Sequence, residues 1–365
     1  MQNLTVKLDS CSYQINFIDG SEETIFSELS PYTNKKICLI SDRHVYKLYG
    51  KNLNEVLSKK GLNIFHYEFR PGEKHKNIKS IMGLINFALA RKWNRDDMFL
   101  VMGGGVTGDM GAFAASIILR GINYLQIPTT LLAQVDSSVG GKTGVDHKAG
   151  KNLIGSFYQP SKVLISTSFL KTLPLREIKT GMAEVVKTGV IANKKLFHDL
   201  ETFFSERKLE SYREFPDPFW TELVFESLLI KSQVVTLDEK ESGLRMILNY
   251  GHTFGHALEK LTGYSVYTHG EAVAIGMNIA ANIACKLKIC KQDVVERQTN
   301  LLKRLQLPLL PQKKISPDRL LECMMLDKKV KSNRLTLILP EEIGKVRIVK
   351  DLKIEDLREL LKELK

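Results

Sequence analysis

Five short segments of this 365-residue sequence concentrate side chains that can do chemistry. The first, MFLVMGGGVTGDMGAFAASIIL (98–119), reads as strand, glycine loop and helix. Gly103, Gly105 and Gly108 satisfy G-x-G-x-x-G, and a helix start with free backbone N–H groups suits a pyrophosphate. A plain tight turn is the alternative. The loop also departs from the usual dinucleotide arrangement, because it follows the third strand rather than the first. About 20 positions on, where an acid would read the ribose, stand Pro128, Thr129 and Thr130. Asp42, at the end of the first strand, is placed to do that reading instead.

The second segment, PTTLLAQVDSSVGGKTGVDHKAGKN (128–152), packs Thr129, Thr130, Asp136, Lys142, Lys151 and Asn152 between two apolar runs. Gly140-Gly141-Lys142 is not a phosphate loop, because the first glycine of G-x-x-x-x-G-K-[ST] is missing. The density of hydroxyls, glycines and charges still marks a ligand-lined loop. The other three segments lie in the second half. In GMAEVVKTG (181–189), Glu184 and Lys187 share a helix face amid apolar neighbours, either as a solvated ion pair or as a buried one. In RMILNYGHTFGHALE (245–259), His252 and His256 are four apart and point the same way, at metal-ligand spacing but without the Glu of H-E-x-x-H. In THGEAVAIGM (268–277), His269 and Glu271 stand at a helix start. One Glu and two His would make a three-ligand site with an open position. Spacing alone leaves open which of His252, His256 and His269 take part.

The elements that position these groups fall into two halves. Strands are predicted at 36–41, 63–69, 98–102, 122–127 and 162–165, and helices at 45–59, 78–92 and from about Gly108. That alternation implies a mostly parallel, doubly wound sheet. Helices follow at 182–191, 219–237, 255–261, 271–287 and 294–305, then a short hairpin at 335–339 and 345–349 and an amphipathic helix at 353–365. The polar stretch 205–218 reads as a surface excursion. The expected domains are 1–165, an α/β domain with a mostly parallel sheet, and 166–365, an all-α domain.

The composition excludes several classes. Apolar residues make up 43% and charged residues 26%, an ordinary globular balance. No apolar run approaches the ~18 residues of a membrane span, and the N-terminus lacks the pattern of a secretory signal. Five cysteines without a CxxC pair fit a reducing, cytoplasmic setting better than a disulfide framework. The net charge of +12 is spread along the chain. It reads as solvated helix faces, or as a funnel for a small anion, ahead of a nucleic-acid surface.

Taken in order, the segments resemble the 3-dehydroquinate synthases, of the sugar phosphate cyclase superfamily. The likeness rests on GEKHK (72–76), GGGVTGD (103–109), RGINYLQIPTTLLAQVDSSVGGKTGV (120–145), GKNLIGSFYQP (150–160), TLPLREIKTGMAEVVK (172–187), GLRMILNYGHTFGHALE (243–259), HGEAVAIGM (269–277) and DKK (327–329). It implies an α/β NAD-binding domain followed by an all-α domain, with the active site between them. It also implies conversion of 3-deoxy-D-arabino-heptulosonate 7-phosphate to 3-dehydroquinate and phosphate, with NAD⁺ regenerated in every turnover. A small anionic sugar-acid phosphate is thus the expected partner, with no nucleic acid and no membrane, and a homodimer is expected.

Carried over by position, the resemblance implies Glu184, His252 and His269 as ligands of Zn²⁺ or another divalent metal such as Co²⁺. Asp42, Glu73, Lys76, Gly104, Gly105, Asp109, Thr129 and Thr130, with Lys142 and Lys151, match the NAD contacts. Lys142, Lys187, His256, Arg245 and Asn249 match catalytic positions. Arg120, Asp136, Lys151, Asn152, Lys231 and one of Lys328 or Lys329 match the substrate pocket. Three positions depart from the common pattern: His44, Asp146 and Ser166, where many members have Asn, Asn and Asp. Two rivals share the scaffold. Other sugar phosphate cyclases act on substrates without a carboxylate, which leaves Arg245 without its purpose. Iron-type polyol dehydrogenases do not account for the set Lys142, Lys151, Asn152 and Arg245.

Overall fold

A computed structural model describes residues 3–9, 11–241, 243–312, 315–325 and 334–363. The chain divides into two compact units, Met1–Leu173 and Pro174–Lys365. In the first, strands β1 (Asn3–Lys7) and β2 (Ser12–Phe17) form a hairpin, followed by α1 (Glu22–Leu29) and β3 (Lys36–Asp42). A single turn, α2 (Arg43–Val45), runs through a π turn into α3 (Lys51–Lys59), then β4 (Asn63–Phe69), α4 (Ile78–Ala90), β5 (Met98–Gly103) and α5 (Gly105–Ile117). Next come β6 (Asn123–Pro128), the two-stranded ribbon β7 (Lys142–His147) and β8 (Gly150–Phe157), and β9 (Lys162–Ile165).

Seven strands form one sheet in the order β1-β2-β9-β6-β5-β3-β4, with every neighbouring pair parallel except β1 and β2. Strand alternation explains why both faces are covered. Ile37 and Leu39 of β3 face α1 and α3, while Cys38 and Ile40 face α4 and α5. Helix α5 lies close against the sheet because glycines line its inner side. A Cβ on Gly111 would sit 2.7 Å from both Val101 methyls, and one on Gly108 would sit 2.4 Å from Gln126 Nε2. The sequence signals at 36–41, 63–69, 98–102 and 162–165 coincide with β3, β4, β5 and β9. The predicted strands do not include the β1–β2 hairpin, whose alternation spans only five or six residues, or the β7–β8 ribbon, whose apolar residues are few and interrupted by glycines.

Past β9 the chain stays with the first unit. A 3-10 turn, Thr167–Thr172, drives Phe169 into the core below α3, and Ser166 caps that turn by accepting from Ser168 N at 3.3 Å. Ser166 therefore does the N-capping that an Asp would do at this position.

The second unit contains α6 (Leu175–Ala192), α7 (Lys194–Glu206), α8 (Asp217–Leu237), α9 (His252–Leu261), α10 (His269–Lys286), α11 (Gln292–Arg304) and α12 (Pro317–Met325). A hairpin of β10 (Arg334–Glu342) and β11 (Lys345–Lys353) and a final helix, α13 (Ile354–Lys362), complete it. Small residues let these helices close on each other: Gly255 approaches Ala272, and Gly270 approaches Thr180. The stretch 205–218 runs mostly exposed, as expected of a surface excursion, but it is anchored at three points. Leu209, Tyr212 and Phe215 are buried, and Phe215 stacks among Phe203, Phe204, Phe219 and Trp220. Polar residues between these anchors masked the apolar spacing. Among the described residues, no helix is long and apolar enough to cross a membrane.

Candidate active site

The first unit gathers its candidate residues at the carboxyl ends of three neighbouring strands. After β3 the chain turns outward to β4, then returns to place β5 on the other side of β3. Such a reversal opens a crevice where nucleotides bind in α/β sheets. Asp42 ends β3, Gly103–Gly105 end β5 and begin α5, and Thr129 and Thr130 follow β6. This topology explains why the glycine loop follows β5: the reversal lies between β3 and β5. Asp42 Oδ1 accepts from the backbone N–H groups of His44 (2.8 Å) and Val45 (3.1 Å), so the carboxylate is held at the strand end by the turn that follows. His44 contributes its backbone to that cap. Thr129 N donates to Gly103 O (2.9 Å), and a Cβ on Gly104 would strike the Thr130 methyl at 2.9 Å. The glycine loop and the threonine loop thus pack edge to edge.

Beside them lies a buried cation. Lys76 Nζ donates to Asp109 Oδ2 (2.5 Å) and to Asn152 Oδ1 (2.6 Å). Burial works against its charge, but Asp109 and Glu73 hold the Lys76 pKa above the ordinary lysine value. Lys151 Nζ lies 3.3 Å from Glu73 Oε1. Lys76, Asp109, Glu73, Lys151 and Asn152 are therefore one network, drawn from the 73–75 turn, α5 and β8. Asp136 sits in the π turn Ala133–Ser137, and Lys142 opens β7. Arg120 is exposed on a turn where Leu119, Arg120 and Gly121 are all left-handed, with φ of 50°, 65° and 114°. Two of these are not glycine, and that conformation costs energy.

In the second unit, three helices converge on Glu184. It lies on α6, 1% exposed, and its Oε2 pairs with the Nζ of Lys187, 2% exposed, one turn on. Its Oε1 lies 3.6 Å from His252 Nε2 at the start of α9 and 3.5 Å from His269 Nε2 at the start of α10. His256 is exposed one turn further along α9, its ring 5.3 Å from that of His252. Neither Glu184 oxygen accepts a hydrogen bond of good geometry, although both are buried. One carboxylate and two imidazoles, with ligand atoms within 4.8 Å of one another, are a donor set that fits Zn²⁺.

The electrostatics agree with that fit. Burial would raise the Glu184 pKa, but the Lys187 ammonium first, and then His269, hold it well below the carboxylate range. Burial keeps His252 well below the usual imidazole value, so it is neutral with a lone pair to give. For His269 burial is outweighed by Glu184 and Glu259, which raise its pKa to about 10. A cation competes with that proton.

Several supporting residues escaped the sequence reading. The far ring nitrogen of His252, Nδ1, lies 3.1 Å from Tyr250 O, and that of His269 faces Glu259 Oε2 at 3.6 Å. Such partners orient metal-bound imidazoles. Glu259 is seven residues beyond His252, two helical turns along the same face, and that spacing was the available signal. Glu271 is structural. It closes a capping box with Thr268 and binds Arg176 of α6 through two bonds of 2.9 and 2.7 Å. With Thr180 Oγ1 donating to Thr268 Oγ1 (2.7 Å), this ties the start of α10 to α6.

Arg245 and Asn249 lie on the 3-10 turn Leu244–Asn249, which packs on α6 and α8. Arg245 is buried; its N donates to Asp238 Oδ2 (3.0 Å) and its Nη1 to Glu239 O. Asn249 Nδ2 donates to Glu241 Oε1 (2.6 Å). Lys231, on α8, is buried. Lys328 and Lys329 lie outside the described residues.

The chain is similar to known proteins over nearly its whole length. The family model for the 3-dehydroquinate synthase N-terminal region matches residues 66–180, and that for the C-terminal region matches 181–330. A 3-dehydroquinate synthase from Synechocystis sp. is 45% identical over 346 residues, 94% of this chain and 95% of the relative. A 2-deoxy-scyllo-inosose synthase, solved with carbaglucose-6-phosphate, NAD⁺ and Co²⁺, superposes with a TM-score of 0.86 at 27% identity, covering 98% of this chain and 100% of that one. A 2-epi-5-epi-valiolone synthase from Streptomyces hygroscopicus, with NAD⁺ and Zn²⁺ bound, gives 0.87 at 25%, covering 98% and 97%.

Proposed function

Because the chain belongs to the 3-dehydroquinate synthase family, we propose that it works with NAD⁺ and a divalent cation, Zn²⁺ or Co²⁺, through the residues described above. Its activity is that of a 3-dehydroquinate synthase, a carbon–oxygen lyase (EC 4.2.3.4) of the shikimate pathway that acts on a sugar-acid phosphate. The observation that carries the proposal is the meeting of His252 and His269 at the buried Glu184 oxygen.

Glu184, His252 and His269 would hold the cation, which when bound polarises substrate oxygens as a Lewis acid. Asp42, Glu73, Lys76, Gly104, Gly105, Asp109, Thr129 and Thr130, with Lys142 and Lys151, would hold NAD⁺, which when bound takes up and returns a hydride. The chain's own groups do the rest. In the first unit Arg120, Asp136, Lys142, Lys151 and Asn152 supply hydroxyl- and anion-binding groups. In the second, the Arg245 fork suits the carboxylate, a planar anion that Lys matches less well. Lys187 balances Glu184 and presents an ammonium donor, with Lys231 and Asn249 as further polar contacts. His256, exposed beside His252, exchanges a proton with the substrate at a ring nitrogen.

The test is phosphate release from 3-deoxy-D-arabino-heptulosonate 7-phosphate by the purified chain with NAD⁺, with and without a chelator. Release that a chelator stops and Zn²⁺ restores supports the proposal; release indifferent to the chelator overturns it. The fold is also that of sugar phosphate cyclases acting on other substrates, and the buried Arg245 favours a substrate with a carboxylate. The proposal includes a cytoplasmic location, supported by five cysteines that are all free thiols. It also includes a homodimer: a light-scattering mass of two chains would support it, and a mass of one chain would refute it.

A further inference from the structure

The β7–β8 ribbon breaks its register at one point. Val145 pairs with Ile154 and His147 with Gly150, so the single residue Asp146 stands opposite Lys151, Asn152 and Leu153. A bulge of this kind leaves backbone groups without ladder partners and re-aims the side chains it carries. Here it carries Lys151 and Asn152, and Asn152 is left-handed with φ of 53°, a conformation uncommon outside glycine.

Asp146 supplies the missing bonds. Its Oδ1 accepts from Asn152 N at 2.9 Å, and its own N donates to Lys76 O at 2.9 Å. The circuit closes through Asn152 Oδ1, which accepts from Lys76 Nζ at 2.6 Å, while the same Nζ reaches Asp109. The Asp146 carboxylate thereby holds the bulge, its backbone N–H ties the ribbon to the 73–76 turn, and the Lys76 side chain carries the link on to α5. We propose that Asp146 is a positioning residue: its carboxylate oxygen holds the β8 bulge so that Asn152 and Lys151 meet the Lys76–Asp109 pair in the geometry that NAD⁺ requires. This rests on the assignment of Lys76, Asp109 and Lys151 to NAD⁺ in the proposed function.

The acceptor oxygen, rather than the charge, does the holding. Asp146→Asn keeps an oxygen that Asn152 N can reach, and Asp146→Ala does not. Calorimetric titration of the full-length protein with NAD⁺ reads the difference. Losing an acceptor whose charge is not needed forfeits an ordinary hydrogen bond, so Asp146→Ala should weaken NAD⁺ binding by roughly 2- to 10-fold. Asp146→Asn should stay close to wild type, and the zinc content of both should be unchanged. Should Asp146→Ala fail to fold, Asp146→Ser carries the same expectation, because its hydroxyl is one bond shorter. The inference is overturned if the Ala or Ser variant binds NAD⁺ as tightly as wild type, or if Asp146→Asn is damaged as much as they are. Failure of the wild-type protein to bind NAD⁺ would instead overturn the proposed function, and this inference with it.

Discussion

Replacing Lys187 by Met tests the charge balance at Glu184. The two side chains are 2% and 1% exposed and paired, and Met nearly preserves the volume while removing the ammonium. Breaking a buried pair by deleting one partner costs about 3–5 kcal/mol, because the remaining charge stays buried. A unit the length of Pro174–Lys365 shifts its Tm by about 2–4 °C per kcal/mol. In chelator, Lys187→Met should therefore melt roughly 6–20 °C below wild type. Zn²⁺ at Glu184, His252 and His269 would place positive charge against the same carboxylate, so saturating zinc should close most of that gap. Calorimetric melts of both proteins, in chelator and in zinc, supply the four numbers. A gap of equal size in both conditions would refute the reasoning, since it would mean that Lys187 stabilises the unit through packing. No gap in chelator would mean that Glu184 does not depend on Lys187 for its charge.

Other outcomes follow from single contacts. Arg245→Ala should lower kcat/KM by roughly 30-fold to several-thousand-fold, the cost of removing one partner of a buried charge pair at ~1.4 kcal/mol per decade, while elemental analysis and NAD⁺ titration find both cofactors still bound. A Cβ at Gly270 would lie 2.2 Å from Thr180 O and 2.5 Å from its Cα; Gly270→Ala should cost about 1–3 kcal/mol in melts and lower zinc retention on dialysis by moving His269 away from Glu184. Glu271→Ala should lose about 1 kcal/mol of cap stability. Although burial opposes it, Arg176 and the Thr268 N–H hold the Glu271 pKa below its ordinary value of 4.5. A depressed carboxylate stabilises above its unfolded pKa and loses that contribution as pH falls, so the gap between wild type and Glu271→Ala should be full at pH 6 and shrink below about pH 4.5 in pH-resolved melts.

The chemistry-bearing types, and the elements that carry them, are readable along the chain because they depend on local order. Apolar spacing shows β3, β5 and the helices, the glycine run marks the loop into α5 (which starts at Gly105, three residues before the expected Gly108), and His252 and His256 share a face because one helical turn separates them. What the sequence could not decide is register between elements. Four-residue spacing on α9 offers two equivalent histidines, and the closeness of α10 to α6, with Gly270 against Thr180, brings His252 and His269 to Glu184 while His256 stays exposed. Asp42 ends the strand next to the one that leads into the glycine loop only because the strand order reverses between β3 and β5, a property of the whole sheet. The roles of Glu259 and Asp146 were illegible for the same reason. Each acts through a partner distant in sequence or across a bulge, and only folding brings such partners within a few ångströms.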